Sequence, residues 1–269
     1  MCRLVAFVSR EEVEAEVMMR SLRDASRLDR FAEKLGFLSH DDGWGYAFAS
    51  KIDGKWGLYF YKTIVPMWND PHSSLSFRGF TVGFVHARKA SKGMPKNTFS
   101  AHPYIYTGED GSLVFLGQNG GIKKGLGIEI LKDVGLSLND SSKITDTYIF
   151  GLIFASYFSK KSGTGYLRVV DALKDTIRVL EKRGGEGRCM NTAVFVYSSN
   201  DEPILVVSRY VVDLERLEYC ELFLAEGKGS VGLVSSTVAD ILEKEGFNME
   251  SLGKNTIVVL YPEIYSVKL

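Results

Sequence analysis

Two long helical segments in the middle of the chain constrain its fold more than any other feature. Residues Thr145 to Lys160 and Leu167 to Arg183 contain no proline, and the second places its apolar residues on one helical face. Short apolar runs typical of β-strands lie before and after this pair. Antiparallel sheets bury one face and need helices or a second sheet to cover it. The chain is therefore predicted to be an α+β protein built of stacked layers.

The strand-rich parts contain several sequence patterns that indicate hairpins. Asp53-Gly54 separates YAFAS from KWGLYFYKT, and Asp-Gly between apolar runs favours a tight turn. Further pairs are TAVFVYSS with PILVVSRY, and YCELFLAE with SVGLVSST, followed by a helix at Val238 to Lys244 and a strand TIVVLYP. The sequence has no internal repeat and no Pro/Ser-rich linker. A single domain over residues 1–269 is expected.

Charge and hydropathy exclude several classes of partner. The chain has 33 Lys plus Arg and 33 Asp plus Glu, so no net positive field favours nucleic acid. The longest apolar stretch, Tyr148 to Phe158, has about half the ~20 residues that a bilayer span needs, and the N-terminus lacks a signal-peptide core. The sequence therefore predicts a soluble, cytoplasmic protein without a nucleic-acid or membrane partner.

Cofactor and metal signatures are weak in this sequence. The three cysteines show no CxxC spacing, and the four histidines show no HxxxH or HxH spacing. The glycines of GKGSVG, at 227–232, match a dinucleotide-binding spacing but lie between two β-rich runs, which predicts a hairpin loop. No cofactor and no metal are expected from these patterns.

Cys2 is the first candidate for chemistry. Aminopeptidases remove an initiator Met that precedes a small residue, so the mature chain can begin with a cysteine that carries both a thiol and a free α-amine. A thiolate is a strong nucleophile, and an α-amine with a pKa near ~7.7–8.0 can act as its base. The alternative is that Cys2 is a small apolar residue at the start of a buried strand.

Three further motifs each have a functional and a structural interpretation. In HARKAS, Arg88 either binds a carboxylate or is a solvated strand end. In GQNGG, Asn119 and Gly120 either donate to an oxyanion or form a hairpin turn. In TDT, Asp146 either accepts a substrate ammonium group or caps the helix that begins there. Each motif by itself leaves both interpretations open.

The order of these motifs along the chain is more specific than any one of them. Cys2, DGWG, HARKAS, NGG and TDT follow one another within the first 150 residues. In this order the sequence resembles the class II glutamine amidotransferases, which are N-terminal-nucleophile glutaminases, and among them the stand-alone predicted amidotransferases that open with MCRL. The resemblance implies a four-layer αββα sandwich of two antiparallel sheets covered by helices.

The same resemblance implies a role for each matching residue. Cys2 would be the nucleophile after Met1 is removed, and Asn119 with Gly120 would form the oxyanion hole. The remaining implied roles concern substrate binding: Arg88 for the α-carboxylate of glutamine, Asp146 for its α-ammonium group, and Ser91 beside the substrate. Gln118, Lys89 and Tyr148 depart from the pattern of many relatives.

The function implied is hydrolysis of the γ-carboxamide of glutamine through a Cys2 thioester, with release of ammonia. The substrate partner is then glutamine or a γ-glutamyl small molecule, and the acceptor of ammonia would be a separate protein or absent. Two alternatives stay open: a hydrolase of γ-glutamyl amides or peptides, and a non-catalytic binding or regulatory module with the same fold. The sequence does not indicate an oligomeric state.

Overall fold

A computed structural model describes residues 2–163, 165–212 and 218–269. Within these ranges the chain forms thirteen strands and six α-helices. The strands are β1 (Cys2–Ser9), β2 (Trp44–Ile52), β3 (Lys55–Thr63), β4 (Phe80–Arg88), β5 (Tyr104–Thr107), β6 (Leu113–Ile122), β7 (Glu186–Tyr197), β8 (Ile204–Arg209), β9 (Leu222–Glu226), β10 (Ser230–Ser235), β11 (Asn248–Ser251), β12 (Thr256–Tyr261) and β13 (Tyr265–Lys268). The helices are α1 (Glu12–Arg27), α2 (Arg30–Glu33), α3 (Lys124–Asp133), α4 (Asp146–Lys160), α5 (Tyr166–Lys182) and α6 (Ser236–Lys244).

The strands form two antiparallel sheets. Over the described residues, the first sheet has the order β11-β9-β10-β1-β4-β2-β3, and the second has the order β13-β12-β8-β7-β6-β5. Strand β1 lies between β4 and β10 near the centre of the first sheet, and β6 lies between β5 and β7 in the second. The motif-bearing strands β1, β4 and β6 are thus paired on both sides, which holds their residues rigidly.

Helices cover the outer face of each sheet, and the two inner faces pack together. The apolar core between the sheets includes Leu4, Phe84, Phe115 and Phe195. Helices α1 and α6 pack on the first sheet, while α3, α4 and α5 pack on the second. The predicted α+β, four-layer αββα sandwich is confirmed. Among the described helices, none is long and apolar enough to cross a membrane.

Local sequence signals predicted most of the elements correctly. At the Asp53-Gly54 hairpin both residues have positive φ, 51° and 78°, which is the conformation of a type I′ turn. The β7–β8 and β9–β10 hairpins and the two long helices are also confirmed. The possible hairpin turn at GQNGG is wrong, because residues 117–121 all lie within β6. Strands β5, β11 and β13 were not predicted, since each has only four residues, too few to show a period in the sequence.

A buried ion-pair cluster fixes the beginning of β1. Arg3 Nε and Nη2 donate to the two oxygens of Asp29 at 2.6 and 3.0 Å, and Arg3 Nη1 donates to the carbonyl oxygen of Tyr219 at 2.7 Å. His40 Nε2 lies 2.7 Å from the same carboxylate. Because Arg3, Asp29 and His40 are fully buried, the hydrogen bonds offset the cost of removing these groups from water. The cluster therefore anchors the residue that follows Cys2.

This cluster predicts acid sensitivity of the fold. Burial lowers the pKa of His40 to about 4. The charge of Arg3 lowers the pKa as well, whereas the hydrogen bond to Asp29 raises it. An unfolded histidine has a pKa near ~6.5. Between pH 6.5 and 4 the unfolded chain takes up a proton that the folded chain does not, so stability is lost as pH falls. We expect the free energy of unfolding to drop by about 2 to 3 kcal/mol over this window.

Urea denaturation between pH 7 and 4 measures this dependence. His40→Gln should flatten it, because the variant has no proton to take up in the unfolded state. His72→Gln is the matched control, since His72 is exposed and its replacement should leave the slope unchanged. An unchanged slope in His40→Gln would contradict the assignment.

Candidate active site

Pairing of β1 with β4 brings Cys2 and Arg88 together. The two residues are directly opposite in the antiparallel register. Side chains alternate along a strand, and Leu4 and Ala6 belong to the core between the sheets. Cys2 therefore points toward the second sheet at the end of this core, and its side chain is buried with 3% of the residue exposed.

Five of the six predicted site residues line one small cavity at this end of the sandwich. The cavity has a volume of about 20 Å³, roughly one water molecule, and an adjoining cavity has a volume of about 170 Å³. Ser91, Gly120 and Asp146 line both of them. The predicted residues at the Cys2 cavity are Cys2, Arg88, Ser91, Gly120 and Asp146.

Asn119, the sixth predicted residue, lies beside the cavity and does not line it. Its side chain is on the same face of β6 as Phe115, which points toward the first sheet. Asn119 Nδ2 donates to Ser235 Oγ at 3.1 Å, and Leu4 N donates to the same hydroxyl oxygen at 2.9 Å. An amide nitrogen carries two hydrogens, so this bond leaves the second one for another acceptor.

Glycine is required at two adjacent positions after Asn119. Gly120 has φ +112°, and a Cβ there would lie 1.7 Å from the carbonyl oxygen of Cys189. A Cβ on Gly121 would lie 1.9 Å from Asp146 Oδ2. The ladder between β6 and β7 is irregular at this point, and the freed Ile122 N donates to Asp146 Oδ2 at 3.1 Å. The glycines therefore allow the backbone of β6 to approach both β7 and the start of α4.

Asp146 occupies the first turn of α4, but it does not cap the helix. Thr145 is the cap, because its hydroxyl accepts from Tyr148 N at 3.1 Å. Burial raises the pKa of the Asp146 carboxyl, and this effect exceeds the lowering caused by hydrogen bonds from the backbone N–H groups of Ile122 and Thr147. This carboxylate is thus partly desolvated and lies at the junction of the two cavities.

Arg88 has an unsatisfied donor in the same place. Its Nη2 donates to the carbonyl oxygen of Pro95 at 3.0 Å, whereas Nη1 is buried and has no hydrogen-bond partner among the described residues. A buried donor without a partner costs about 1 to 3 kcal/mol, and a ligand carboxylate would remove that cost. The backbone of Arg88 is held by DGWG, through Asp42 N to Arg88 O at 3.1 Å and Arg88 N to Gly43 O at 2.8 Å.

Two histidines that the sequence did not single out lie next to Cys2. His86 and His102 are both buried, and their ring nitrogens approach to 3.0 Å. Burial raises the pKa of the Cys2 thiol, but neighbouring groups, among them His86 and the backbone of Lys89, outweigh it and bring the pKa to about 6. Their spacing in sequence carried no signal, because His86 lies in β4 and His102 belongs to a separate loop.

The three departures from the family pattern each have a structural place. Gln118 is fully buried, and its amide bonds Thr192 and Thr147, which ties β6 to β7 and to α4. Lys89 Nζ bonds Asp41 at the cavity entrance. Tyr148 packs among aromatic rings of β5 and the loop before it. In the structure, Gln118 therefore acts as a packing and hydrogen-bonding residue.

Comparison with known proteins gives similarity at the level of structure. No protein-family model matches this sequence, and no curated protein matches it. The chain is similar to glutamine phosphoribosylpyrophosphate amidotransferase from B. subtilis, with a TM-score of 0.60 and 12% identity over 98% of this chain and 49% of that one. It is also similar to a structure described as the allosteric regulatory enzyme of purine biosynthesis, with a TM-score of 0.63 and 10% identity over 98% and 48%.

A third solved structure matches over its whole length. This glutamine aminotransferase class-II domain protein from Silicibacter pomeroyi has a TM-score of 0.54 and 15% identity, over 99% of both chains. The present chain spans about half the length of the first two structures. At these identities the similarity concerns the fold. The chain therefore has the two-sheet sandwich fold of these three proteins.

Proposed function

We propose that this protein hydrolyses the γ-carboxamide of glutamine by nucleophilic catalysis at Cys2. The supporting observation is the cavity that Cys2, Arg88, Gly120 and Asp146 line together, where Arg88 Nη1 is buried and has no hydrogen-bond partner within the described part of the chain. A cation and an anion at one cavity suit the α-carboxylate and α-ammonium groups of an amino acid. The small combined space suits a short linear substrate.

The proposed reaction forms and breaks one bond in each step. With Met1 removed, the α-amine of Cys2 takes the thiol proton, and the sulfur attacks the γ-carbonyl carbon. Asn119 Nδ2 and Gly120 N donate to the oxygen that becomes negative. The C–N bond then breaks as the α-ammonium group of Cys2 returns its proton to the leaving nitrogen, so ammonia departs and a thioester remains. Water loses a proton to the α-amine and attacks the thioester carbon, the C–S bond breaks, and glutamate leaves with the Cys2 thiol restored.

We propose substrate-binding roles for three other cavity residues, in agreement with their positions. Arg88 holds the α-carboxylate and Asp146 the α-ammonium group, which places the γ-carbon near sulfur. Ser91, which lines both cavities, contacts the substrate between them. We propose that ammonia passes to water or to a separate acceptor protein.

Glutamate release from a panel of γ-glutamyl compounds tests the function. Met1-free protein, verified by mass, is assayed for glutamate release with L-glutamine, glutathione and γ-glutamyl methylamide, and for aspartate release with L-asparagine. We expect saturable glutamate release from glutamine and no hydrolysis of asparagine, whose amide is one methylene short of the sulfur. If the protein hydrolyses glutathione or the methylamide faster than glutamine, the proposed activity is that of a γ-glutamyl hydrolase and not of a glutaminase.

A non-catalytic module gives a different result in the same experiment. It would release no glutamate from any compound, and a glutamine-mimicking electrophile would not label Cys2 under reducing conditions. Both results together, obtained with folded and Met1-free protein, would rule out the proposed hydrolysis.

A further inference from the structure

A thiol and two imidazoles meet at the inner end of the Cys2 cavity. One ligand atom from each of Cys2, His86 and His102 lies within 4.8 Å of the other two. All three side chains are buried, with at most 3% of any residue exposed. They come from β1, from β4 and from the loop before β5, so the packing of separate elements creates the cluster.

The hydrogen bonds of the histidines set which ring nitrogens are available. His86 Nε2 lies 3.2 Å from the carbonyl oxygen of Gln118. A carbonyl oxygen can only accept, so Nε2 carries the proton and Nδ1 of His86 keeps a lone pair. Metal-binding histidines commonly donate their second N–H to a backbone carbonyl in this way, which fixes the tautomer and the ring orientation.

The second histidine faces the same point. His102 Nδ1 lies 3.0 Å from both ring nitrogens of His86. In its neutral form, each imidazole offers one nitrogen lone pair to a metal ion.

We infer that Cys2, His86 and His102 form a binding site for a divalent transition-metal ion of the zinc type. A set of one sulfur and two nitrogen donors binds Zn²⁺ and Co²⁺ in preference to Mg²⁺ and Ca²⁺, which prefer oxygen donors. Three protein ligands leave a fourth tetrahedral position for water. On binding, the metal–sulfur bond forms and the thiol proton leaves to solvent.

The surroundings indicate reversible occupancy. Arg88 lines the same cavity as Cys2 and His102, and its positive charge opposes a bound cation. The site is also connected to the substrate cavity through Gly120 and Asp146. A bound ion would occupy the sulfur lone pairs, so it would block the nucleophile. This inhibitory consequence rests on the proposed function, whereas the binding site does not.

Titration with Co²⁺ of the otherwise complete chain from which Met1 has been removed tests the site directly. The protein is first treated with chelator and phosphine reductant and kept without oxygen. We expect saturation at one ion per chain, with a sulfur-to-cobalt charge-transfer band and the visible bands of four-coordinate cobalt. Zn²⁺ should displace the cobalt and abolish both signals. Absence of a saturable charge-transfer band in the parent protein would overturn the inference.

Variants identify the ligands. Cys2→Ser should lose the charge-transfer band, and His102→Ala should weaken binding at least tenfold, both with the circular dichroism spectrum of the parent. His72→Ala and Cys220→Ala are the matched controls and should bind cobalt as the parent does. A charge-transfer band that survives Cys2→Ser and disappears in Cys220→Ala would place the ion elsewhere and overturn the inference.

Glutamine turnover separates this inference from the proposed function. Micromolar Zn²⁺ should inhibit glutamate release, and a chelator should restore it. Cys2-dependent cobalt binding in a protein that hydrolyses no γ-glutamyl compound would leave the metal site standing without the glutaminase. Glutamine hydrolysis that Zn²⁺ does not inhibit at any concentration, in a protein without the cobalt signal, would support the glutaminase and overturn the metal site.

Discussion

Cys2→Ala is expected to reduce glutamine hydrolysis to the background rate, a loss on the order of 10⁶-fold, comparable to removal of other enzymatic nucleophiles. No second thiol can substitute, because Cys189 and Cys220 face the adjoining cavity and Cys189 Sγ donates to Asn119 O at 3.7 Å. Steady-state assays of glutamate release measure this loss. The fold should be retained, since alanine fits any space that cysteine fills.

The control for this prediction is a second buried thiol. Cys220→Ala removes a side chain of the same size and burial, 3% exposed as in Cys2, but not the nucleophile, and should retain most of the parent turnover. Mass spectrometry adds an independent check, because protein that retains Met1 has no α-amine on Cys2 and should be inactive. Parent-like hydrolysis by Cys2→Ala, or by the Met1-retaining chain, would disprove the mechanism.

Asn119→Ala is expected to lower the turnover number by two to three powers of ten. One oxyanion donor is worth roughly 2.7 to 4 kcal/mol of transition-state stabilisation. Because the donor acts on the charged oxygen of the intermediate, KM for glutamine should change little. Steady-state kinetics over a range of glutamine concentrations separates the two parameters.

The opposite strand supplies a matched control for Asn119. Asn191 is its cross-strand partner, is equally buried, and donates through Nδ2 to the carbonyl oxygen of Cys220 at 2.8 Å. Asn191→Ala removes a buried amide of the same type and should lower stability by about 1 to 3 kcal/mol while most of the turnover remains. Equal losses of turnover in both variants would indicate that Asn119 acts through packing.

The sequence predicted the layers of the fold because they depend on local patterns. The helical spacing of α5 and the Asp53-Gly54 turn are each readable within about twenty residues. The short strands β5, β11 and β13 were missed because four residues are too few to establish a period from sequence, even in β5, whose buried and exposed residues alternate.

GQNGG shows where local reasoning reaches its limit. Asn-Gly between apolar runs favours a turn, yet residues 117–121 continue β6 alongside β7. The glycines allow the chain to pass close to its neighbours: Gly120 lies against the backbone at Cys189, and Gly121 lies against the carboxylate of Asp146. Gln118 likewise acquires its role from Thr147 and Thr192, which are distant in sequence.

By itself, the sequence determined the α+β layering, because helical and strand periods are local, and the order of its motifs named candidate site residues through a resemblance to a known family. Tertiary structure decided which of those residues meet. Antiparallel pairing places Cys2 opposite Arg88, and packing of the second sheet brings Gly120 and Asp146 to the same cavity. It also joined His86 and His102 to the thiol, because strands that pair over long sequence separations converge where no local period can indicate it.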